Sequence, residues 1–290
     1  MIGYILCGAV ACAALFVAFS ERLLVRIYRI PSGLPARIVQ VSDLHDCVFG
    51  KRQEKLISAV VGAKPDLIVL TGDIVNDTPE RVGRVPILSE DHPVREFLDG
   101  IRGVAPVYMV YGNHEANIEN IDGLSRELTS LGVRLIGGKS EIIHINGRDI
   151  RICGIDDPRF FGAGKQKMTL SERLSDDADR DSPGLIRWRK ELEGLPSGGI
   201  YTLLLSHRPE EFAFYERFDL TFSGHAHGGQ WRLPPFINGV YAPHQGIFPK
   251  HAGGLYRVGG GFHVVSRGLS KIRCPRIFNR PEVCVVLPEN

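Results

Sequence analysis

The apolar positions of the chain follow two alternating spacings. Short runs rich in Val, Ile and Leu recur as "RIVQVSD", "DLIVLTGD", "PVYMVYGNHE", "VRLIGG", "IYTLLLSH" and "DLTFSGHAH", and such runs predict buried strands. Between them, "KRQEKLISAVVGAKP", "PVREFLDGIRG", "NIENIDGLSRELTSLG", "RDSPGLIRWRKELEGLP" and "PEEFAFYERF" read as helices. The first is stopped by Pro65 and the second closes on glycine. "SEIIHINGRDIRICGID" predicts a hairpin turning at Asn146 and Gly147. The tail segments "GLYRVGGGFHVVSRGL" and "RPEVCVVLPE" read as β structure with glycine turns. Strands and helices in this order define a layered α/β fold, with sheets sandwiched between helices.

The N-terminus departs from this pattern. "MIGYILCGAVACAALFVAFS" carries no charge, and about twenty apolar residues span a bilayer as a helix. The competing reading is a cleaved signal peptide, which calls for basic residues ahead of the apolar run; there are none. An uncleaved anchor is therefore expected over residues 1–20 and a linker over 21–36, which includes "RIPSGLPA". A single domain is expected over 37–290. Arg22, Arg26 and Arg29 follow the anchor, so the positive-inside rule places a single-pass protein in the cell membrane with its domain in the cytoplasm. Formal net charge is only +2 over 290 residues, and without a basic stripe no nucleic-acid partner is expected. No protein partner is implied either. The six cysteines (Cys7, Cys12, Cys47, Cys153, Cys274, Cys284) include no C-x-x-C. They read as packed thiols, with a Cys274–Cys284 pair across a hairpin as the alternative.

Chemistry-bearing residues collect just after the strands. They are Asp43 and His45 in "SDLHD", Asp73 in "TGD", Asn113 and His114 in "GNHE", His207 in "LSH", and His225 and His227 in "GHAH". Ligands of α/β sheets bind beyond the carboxyl ends of strands, so these loops should converge. Carboxylate, imidazole and amide oxygen together suit manganese, iron or zinc. A pair of ions sharing one bridging carboxylate would use the whole inventory. Gly72, Gly112 and Gly224 precede these residues and let the backbone approach closely.

The ordered set D-x-H, G-D, G-N-H-E, H and G-H-x-H resembles the calcineurin-like metallophosphoesterases across residues 37–290. "LLLSHRPE", "FSGHAHGGQW" and "PRIFNRPE" are most similar to their membrane-associated bacterial branch. The resemblance implies a four-layer α/β/β/α sandwich, here with an N-terminal transmembrane helix. It implies that Asp43, His45 and His227 hold one divalent ion, that Asp73 bridges, and that Asn113, His207 and His225 hold a second, with manganese favoured over iron or zinc. His114 then corresponds to a non-ligand histidine that protonates the leaving oxygen or steadies the transferring phosphoryl group. Such a centre binds phosphoryl oxygens and activates water.

The implied activity is hydrolysis of a phosphodiester or pyrophosphate bond, on a lipid-linked substrate such as UDP-2,3-diacylglucosamine. The alternative is a broad phosphodiesterase or phosphatase acting on soluble or cell-wall phosphoesters. A metal-free scaffold would be missing ligands, and here every ligand position is filled.

Other residues carry two readings each. Arg159, Lys165 and Lys167, with Phe160 and Phe161 in "DPRFFGAGKQK", form either a loop over a phosphate-bearing lipid or an ordinary surface loop. Arg208 and Arg267 either grip substrate phosphate bidentately or pair with structural carboxylates. Asp46 is solvated or supports a ligand through a hydrogen bond. His92, His144, His244, His251 and His263 read as hydrogen-bonded structural residues.

Overall fold

Two six-stranded sheets absorb the apolar runs. The computed structural model describes residues 4, 15–31, 33–77, 87–163, 182–271 and 275–289. The first sheet contains β1 (Leu24–Ile30), β2 (Ile38–Val41), β3 (Leu67–Thr71), β4 (Val107–Val110), β5 (Val133–Leu135) and β14 (Glu282–Pro288). Its order is β1-β14-β2-β3-β4-β5. The second contains β6 (Lys139–Ile145), β7 (Arg148–Ile155), β8 (Tyr201–Ser206), β9 (Leu220–Ser223), β12 (Gly254–Val258) and β13 (Gly261–Val265). Its order is β12-β13-β9-β8-β7-β6. A small ribbon pairs β10 (Tyr241–Ala242) with β11 (Gly246–Ile247). The helices named here are α1 (Glu54–Gly62), α2 (Pro93–Ile101), α3 (Ile121–Ser130) and α4 (Pro183–Gly194).

Side-chain alternation along the strands builds the layers. Ile38, Leu67, Val69, Tyr108 and Val110 of the first sheet meet Ile150, Leu203, Leu205, Phe222 and Val264 of the second in a central core. The opposite face of the first sheet, through Val39, Ile68, Leu70 and Met109, packs on Leu56, Phe97, Leu98 and Leu128 of α1 to α3. The outer face of the second sheet, through Cys153, Ile155 and Leu204, packs on Leu185, Trp188 and Leu192 of α4. The order is therefore helix, sheet, sheet, helix. β2, β3 and β4 run parallel, as do β7, β8 and β9. Their carboxyl ends deliver the polar loops to one edge of the sandwich.

Two expectations change. Residues 24–30, expected within a linker, form β1, which pairs in parallel with β14 from Leu24↔Glu282 to Ile30↔Pro288. Its apolar and basic residues alternate between partly buried and exposed, as suits a sheet edge rather than a core strand. The helix expected over "PEEFAFYERF" shortens to a 3-10 turn, Phe212–Tyr215. Its aromatic side chains turn onto the α4 layer, with Tyr215 fully buried and Phe212 and Phe214 packed alongside.

The anchor expected over 1–20 lies mostly outside the described residues. No helix among the described residues is long and apolar enough to cross a membrane. Residues 15–18 are helical, and the Ala18 carbonyl accepts from Phe278 N at 2.7 Å. Cys47, Cys153 and Cys284 are free thiols, whereas Cys7, Cys12, Cys274, Lys165 and Lys167 lie outside the described residues.

Candidate metal centre

Each expected ligand stands just beyond a strand, and the backbone there is held in an unusual conformation. Asp43 (φ 51°), His45 (46°), Asp73 (53°), His225 (66°) and His227 (46°) all adopt left-handed φ values. Non-glycine residues rarely do so, and such strain concentrates at functional sites. The loops also approach one another at backbone distance. A Cβ on Gly72 would sit 2.6 Å from Gly112 N and 2.7 Å from a His207 ring nitrogen, so the β3 and β4 loops meet only because neither residue has a side chain. Gly224 likewise clears the Asp43 carboxylate, which a Cβ would approach to 2.5 Å.

The loops converge. Asp43, His45 and His227 each offer a ligand atom within 4.8 Å of the others; so do Asp73, His207 and His225, and so do His45, Asp73 and His114. Asp73 Oδ2 stands at the centre, 3.3 Å from His207 Nε2, 3.6 Å from His45 Nε2 and 3.8 Å from His114 Nε2. Asn113 Oδ1 and His225 Nδ1 each lie 3.2 Å from His207 Nε2. His227 Nε2 is 3.9 Å from Asp43 Oδ1.

The outer contacts orient these groups. His207 Nδ1 faces the Thr71 carbonyl at 2.7 Å, which leaves Nε2 as the available lone pair. His227 Nδ1 is held by Ser270 Oγ at 3.1 Å, and Asp43 accepts the His225 backbone N–H at 3.0 Å. Asp46 is largely withdrawn from solvent: its Oδ2 accepts Asn76 N at 3.1 Å and its Oδ1 lies 3.5 Å from His92. Two polar atoms in this cluster, His45 Nε2 and His225 Nε2, are buried without a hydrogen-bond partner. Buried imidazole nitrogens without partners, beside shared carboxylates, are what divalent-ion ligands present. The donor set fits such ions.

Electrostatics agree with that arrangement at Asp73, His45, His225 and His227. Burial opposes the Asp73 charge, but His207, His114 and His45 outweigh it and hold the carboxyl well below the usual range. Burial and then the charge on His207 keep His225 well below an ordinary imidazole, and burial and then His45 do the same for His227. Burial lowers His45 to about 4. Neutral imidazoles are the form that binds metals. His207 behaves differently: burial pulls it down, and Asp73 and Asp43 raise it to about 10.

His114 is partly exposed at the rim. Its Nδ1 lies 2.6 Å from Asp77 Oδ1, and Asp77 Oδ2 accepts Asn117 Nδ2 at 2.5 Å. Against burial, Asp73 and Asp77 raise His114 to about 9. Arg159 reaches this rim, its Nη1 donating to Asn117 Oδ1 at 3.2 Å. Phe160 stacks on Tyr111 with ring centroids 5.6 Å apart, and Phe161 packs against the α4 layer.

The other two arginines take the structural reading. Arg208 is buried, its Nε and Nη2 donating to the two oxygens of Asp157 at 2.8 and 3.0 Å. Arg267 lies 3.5 Å from Glu282, which it shares with Arg26. Each of these two guanidinium groups faces a buried carboxylate.

Two further residues belong to the site. His244, read from sequence as structural, stacks its ring 5.4 Å from that of His225, and its Nδ1 is buried without a hydrogen-bond partner. Burial and then Arg208 bring it down to about 3. Glu115, the last residue of "GNHE", is fully buried. Its two oxygens accept the N–H groups of Asp73, Gly112, Ile74 and Val75 at 2.7–3.0 Å. That carboxylate clamps the β3 and β4 loops together. His144 pairs with Asp149, His251 stacks on Phe212, and His263 meets Ser223 Oγ at 2.9 Å, all away from the cluster.

Residues 36–229 match the calcineurin-like phosphoesterases, and the chain belongs to that family. It is a metal-dependent phosphoester hydrolase by that membership, with a fold and a donor cluster suited to a pair of ions. Among its relatives is the uncharacterized metallophosphoesterase YkuE of Bacillus subtilis, 28% identical over 88% of this chain and 80% of that protein. Phosphodiesterase YaeI of Escherichia coli is 24% identical over 88% and 83% respectively. The UDP-2,3-diacylglucosamine pyrophosphatase LpxG of Chlamydia trachomatis is 25% identical over 92% and 90%.

Proposed function

We propose that this protein hydrolyses a phosphodiester or diphosphate bond in a membrane-associated nucleotide-lipid or phospholipid. Asp43, His45 and His227 hold one ion, Asn113, His207 and His225 hold another, and Asp73 serves both. The observation that carries this reading is the pair of three-residue clusters meeting at one central carboxylate. Such a pair of ions, manganese foremost, supplies charge neutralisation for the phosphoryl oxygens and a nucleophilic water at neutral pH.

The remaining work falls to the chain. His114, whose Nδ1 lies 2.6 Å from Asp77 Oδ1, is placed to donate a proton from Nε2 to the departing oxygen, with Asp77 favouring its protonated form. Arg159, at the same rim through Asn117, is placed to bind a second phosphate of a diphosphate substrate. The lipid-linked substrate is supported by the relative named as a UDP-2,3-diacylglucosamine pyrophosphatase, the charge-free stretch of residues 1–20 supports a membrane location, and Arg22, Arg26 and Arg29 after it support a domain on the cytoplasmic side. The relative named as a phosphodiesterase favours a second reading, a broader phosphodiesterase for soluble esters.

One experiment separates these. Manganese-loaded protein is assayed in parallel on bis(p-nitrophenyl) phosphate, p-nitrophenyl phosphate and UDP-2,3-diacylglucosamine, and its metal content is measured. The expected result is about two divalent ions per chain, turnover fastest on the diphosphate lipid, and an Asp73→Asn variant losing both metal and turnover. Turnover confined to the soluble diester would favour the second reading. A metal-free wild type with an equally active Asp73→Asn variant would refute the centre.

A further inference from the structure

The turn that carries His227 runs directly into an exposed apolar surface. Trp231, Leu233, Phe236, Ile247 and Phe248 are 42%, 50%, 83%, 50% and 65% exposed, unusual for large apolar side chains gathered in one stretch. Backbone pairing makes them one surface. Val240 N donates to the Gly229 and Trp231 carbonyls at 2.9 and 3.0 Å, and Phe248 N donates to Val240 O at 2.9 Å. Trp231 also bridges Ile277, and the next residue, Phe278, donates to Ala18 O. The surface therefore continues to the exposed Leu15, Phe16, Val17 and Phe19, where the uncharged N-terminal sequence reaches the domain.

Charge identifies the occupant. From residue 220 to residue 281 the chain has no Asp or Glu; of its basic residues Lys250, Arg257 and Lys271 are exposed, whereas Arg232 and Arg276 are buried and Arg267 pairs with Glu282. An apolar surface set in a stretch free of carboxylates suits anionic lipid, because basic groups near a negative leaflet are each attracted by about 1 kcal/mol. Trp231 has the matching amphipathic form. Its indole N–H is tied to Pro275 O at 2.9 Å while the ring is partly exposed, the arrangement favoured at membrane interfaces.

We propose that Trp231, Leu233, Phe236, Ile247 and Phe248 enter the surface of an anionic bilayer and hold the mouth of the metal centre against it. The inference deepens the reading of a membrane-associated substrate and rests on it. The N-terminal segment tethers the domain, and this surface sets which way it faces. A lipid phosphoester then meets the ions without leaving the membrane.

Tryptophan fluorescence tests this in the full-length chain, which has two tryptophans. Trp188 is fully buried, so it serves as the internal reference, and residues 1–20 contain no tryptophan. The protein is reconstituted into phosphatidylglycerol–phosphatidylcholine vesicles with or without brominated acyl chains. Brominated lipid should reduce the Trp231 emission by about half or more, since interfacial side chains reach the acyl boundary. In Trp231→Phe the remaining Trp188 emission should be unaffected, and Phe236→Ser with Phe248→Ser should weaken the quenching. Equal emission in both kinds of vesicle would overturn the proposal. So would Trp231 shielded from aqueous acrylamide before lipid is added, which would indicate a second copy of the chain on this surface. Hydrolysis of bis(p-nitrophenyl) phosphate by the same preparation is recorded separately. Its absence would count against the hydrolytic reading without altering the quenching result.

Discussion

Replacing Arg208 by methionine would strand the Asp157 carboxylate in the interior without its counter-ion. Both side chains are almost wholly buried, 3% and 0% exposed, and two hydrogen bonds of 2.8 and 3.0 Å join them. Removing one partner of such a pair costs about 3–5 kcal/mol, because the other charge stays desolvated. In a domain of this size each kcal/mol moves Tm by roughly 2–4 °C, so the midpoint should fall by on the order of 10 °C. Asp157→Asn added to Arg208→Met removes the stranded charge and keeps an oxygen for the Arg159 N–H, which Asp157 Oδ1 now accepts at 2.9 Å. More than half the loss should return.

The pH dependence has opposite signs in the two proteins. In the wild type, burial opposes the Asp157 charge but Arg208 outweighs it and holds the carboxyl below its ordinary value. That stability is present above the unfolded value, about 3.9, and is lost as pH falls through the lower folded value. In Arg208→Met the guanidinium no longer opposes burial, leaving only His207 and the Arg159 N–H to favour the charge, so the folded value should rise. The folded state then binds the extra proton, and the variant should regain stability relative to wild type as pH falls from neutral toward about 5. Thermal melts by circular dichroism, with KM for bis(p-nitrophenyl) phosphate measured well below the midpoint, check both points. An unchanged Tm with a many-fold higher KM would refute the structural role and return Arg208 to the substrate.

His114→Ala should keep both ions and lose about 10²–10⁴-fold in turnover, whereas His225→Ala should lose metal; elemental analysis with single-turnover kinetics checks this. His114 Nε2 also falls within a cluster with His45 and Asp73, so equal metal loss in the two variants would make His114 a ligand. Glu115→Ala would leave four buried N–H groups without acceptors. At about 1–3 kcal/mol for each such group, hydrogen exchange around residues 72–75 and 112 should become markedly faster, and metal affinity should fall.

The strands that build the core were legible because apolar residues dominate them: the residues of Ile38–Val41, Leu67–Thr71 and Leu220–Ser223 are all buried, the polar Gln40, Thr71, Thr221 and Ser223 included. The polar residues after them could be grouped because each follows such a run. β1 was missed because arginines interrupt its apolar residues at every third position, as in a charged linker, and only pairing with residues 282–288 gives it a place. His244 was missed for a similar reason. It follows a two-residue strand rather than a core strand, and it reaches His225 through the small β10–β11 ribbon. Glu115 could be read as part of "GNHE" but not as a clamp, because its partners are backbone groups that carry no side-chain signature. The pairing of Arg208 with Asp157 spans fifty-one positions, beyond what local pattern conveys.

The placement of β14 has a consequence for how the protein is made. This strand lies between β1 and β2, parallel to one and antiparallel to the other, and joins Leu24 to Glu282. A ribosome working at about 5–20 residues per second needs roughly 13–50 s to travel from the first of those residues to the second. For that interval β2 has no neighbour on one side, and its fully buried apolar residues must wait beside an open slot. Every proposed metal ligand has already been synthesised when the slot is finally filled. Assembly of the centre is thus tied to completion of translation, and a message cut short just before residue 282 would yield a chain with all of its ligands and no closed sheet to hold them.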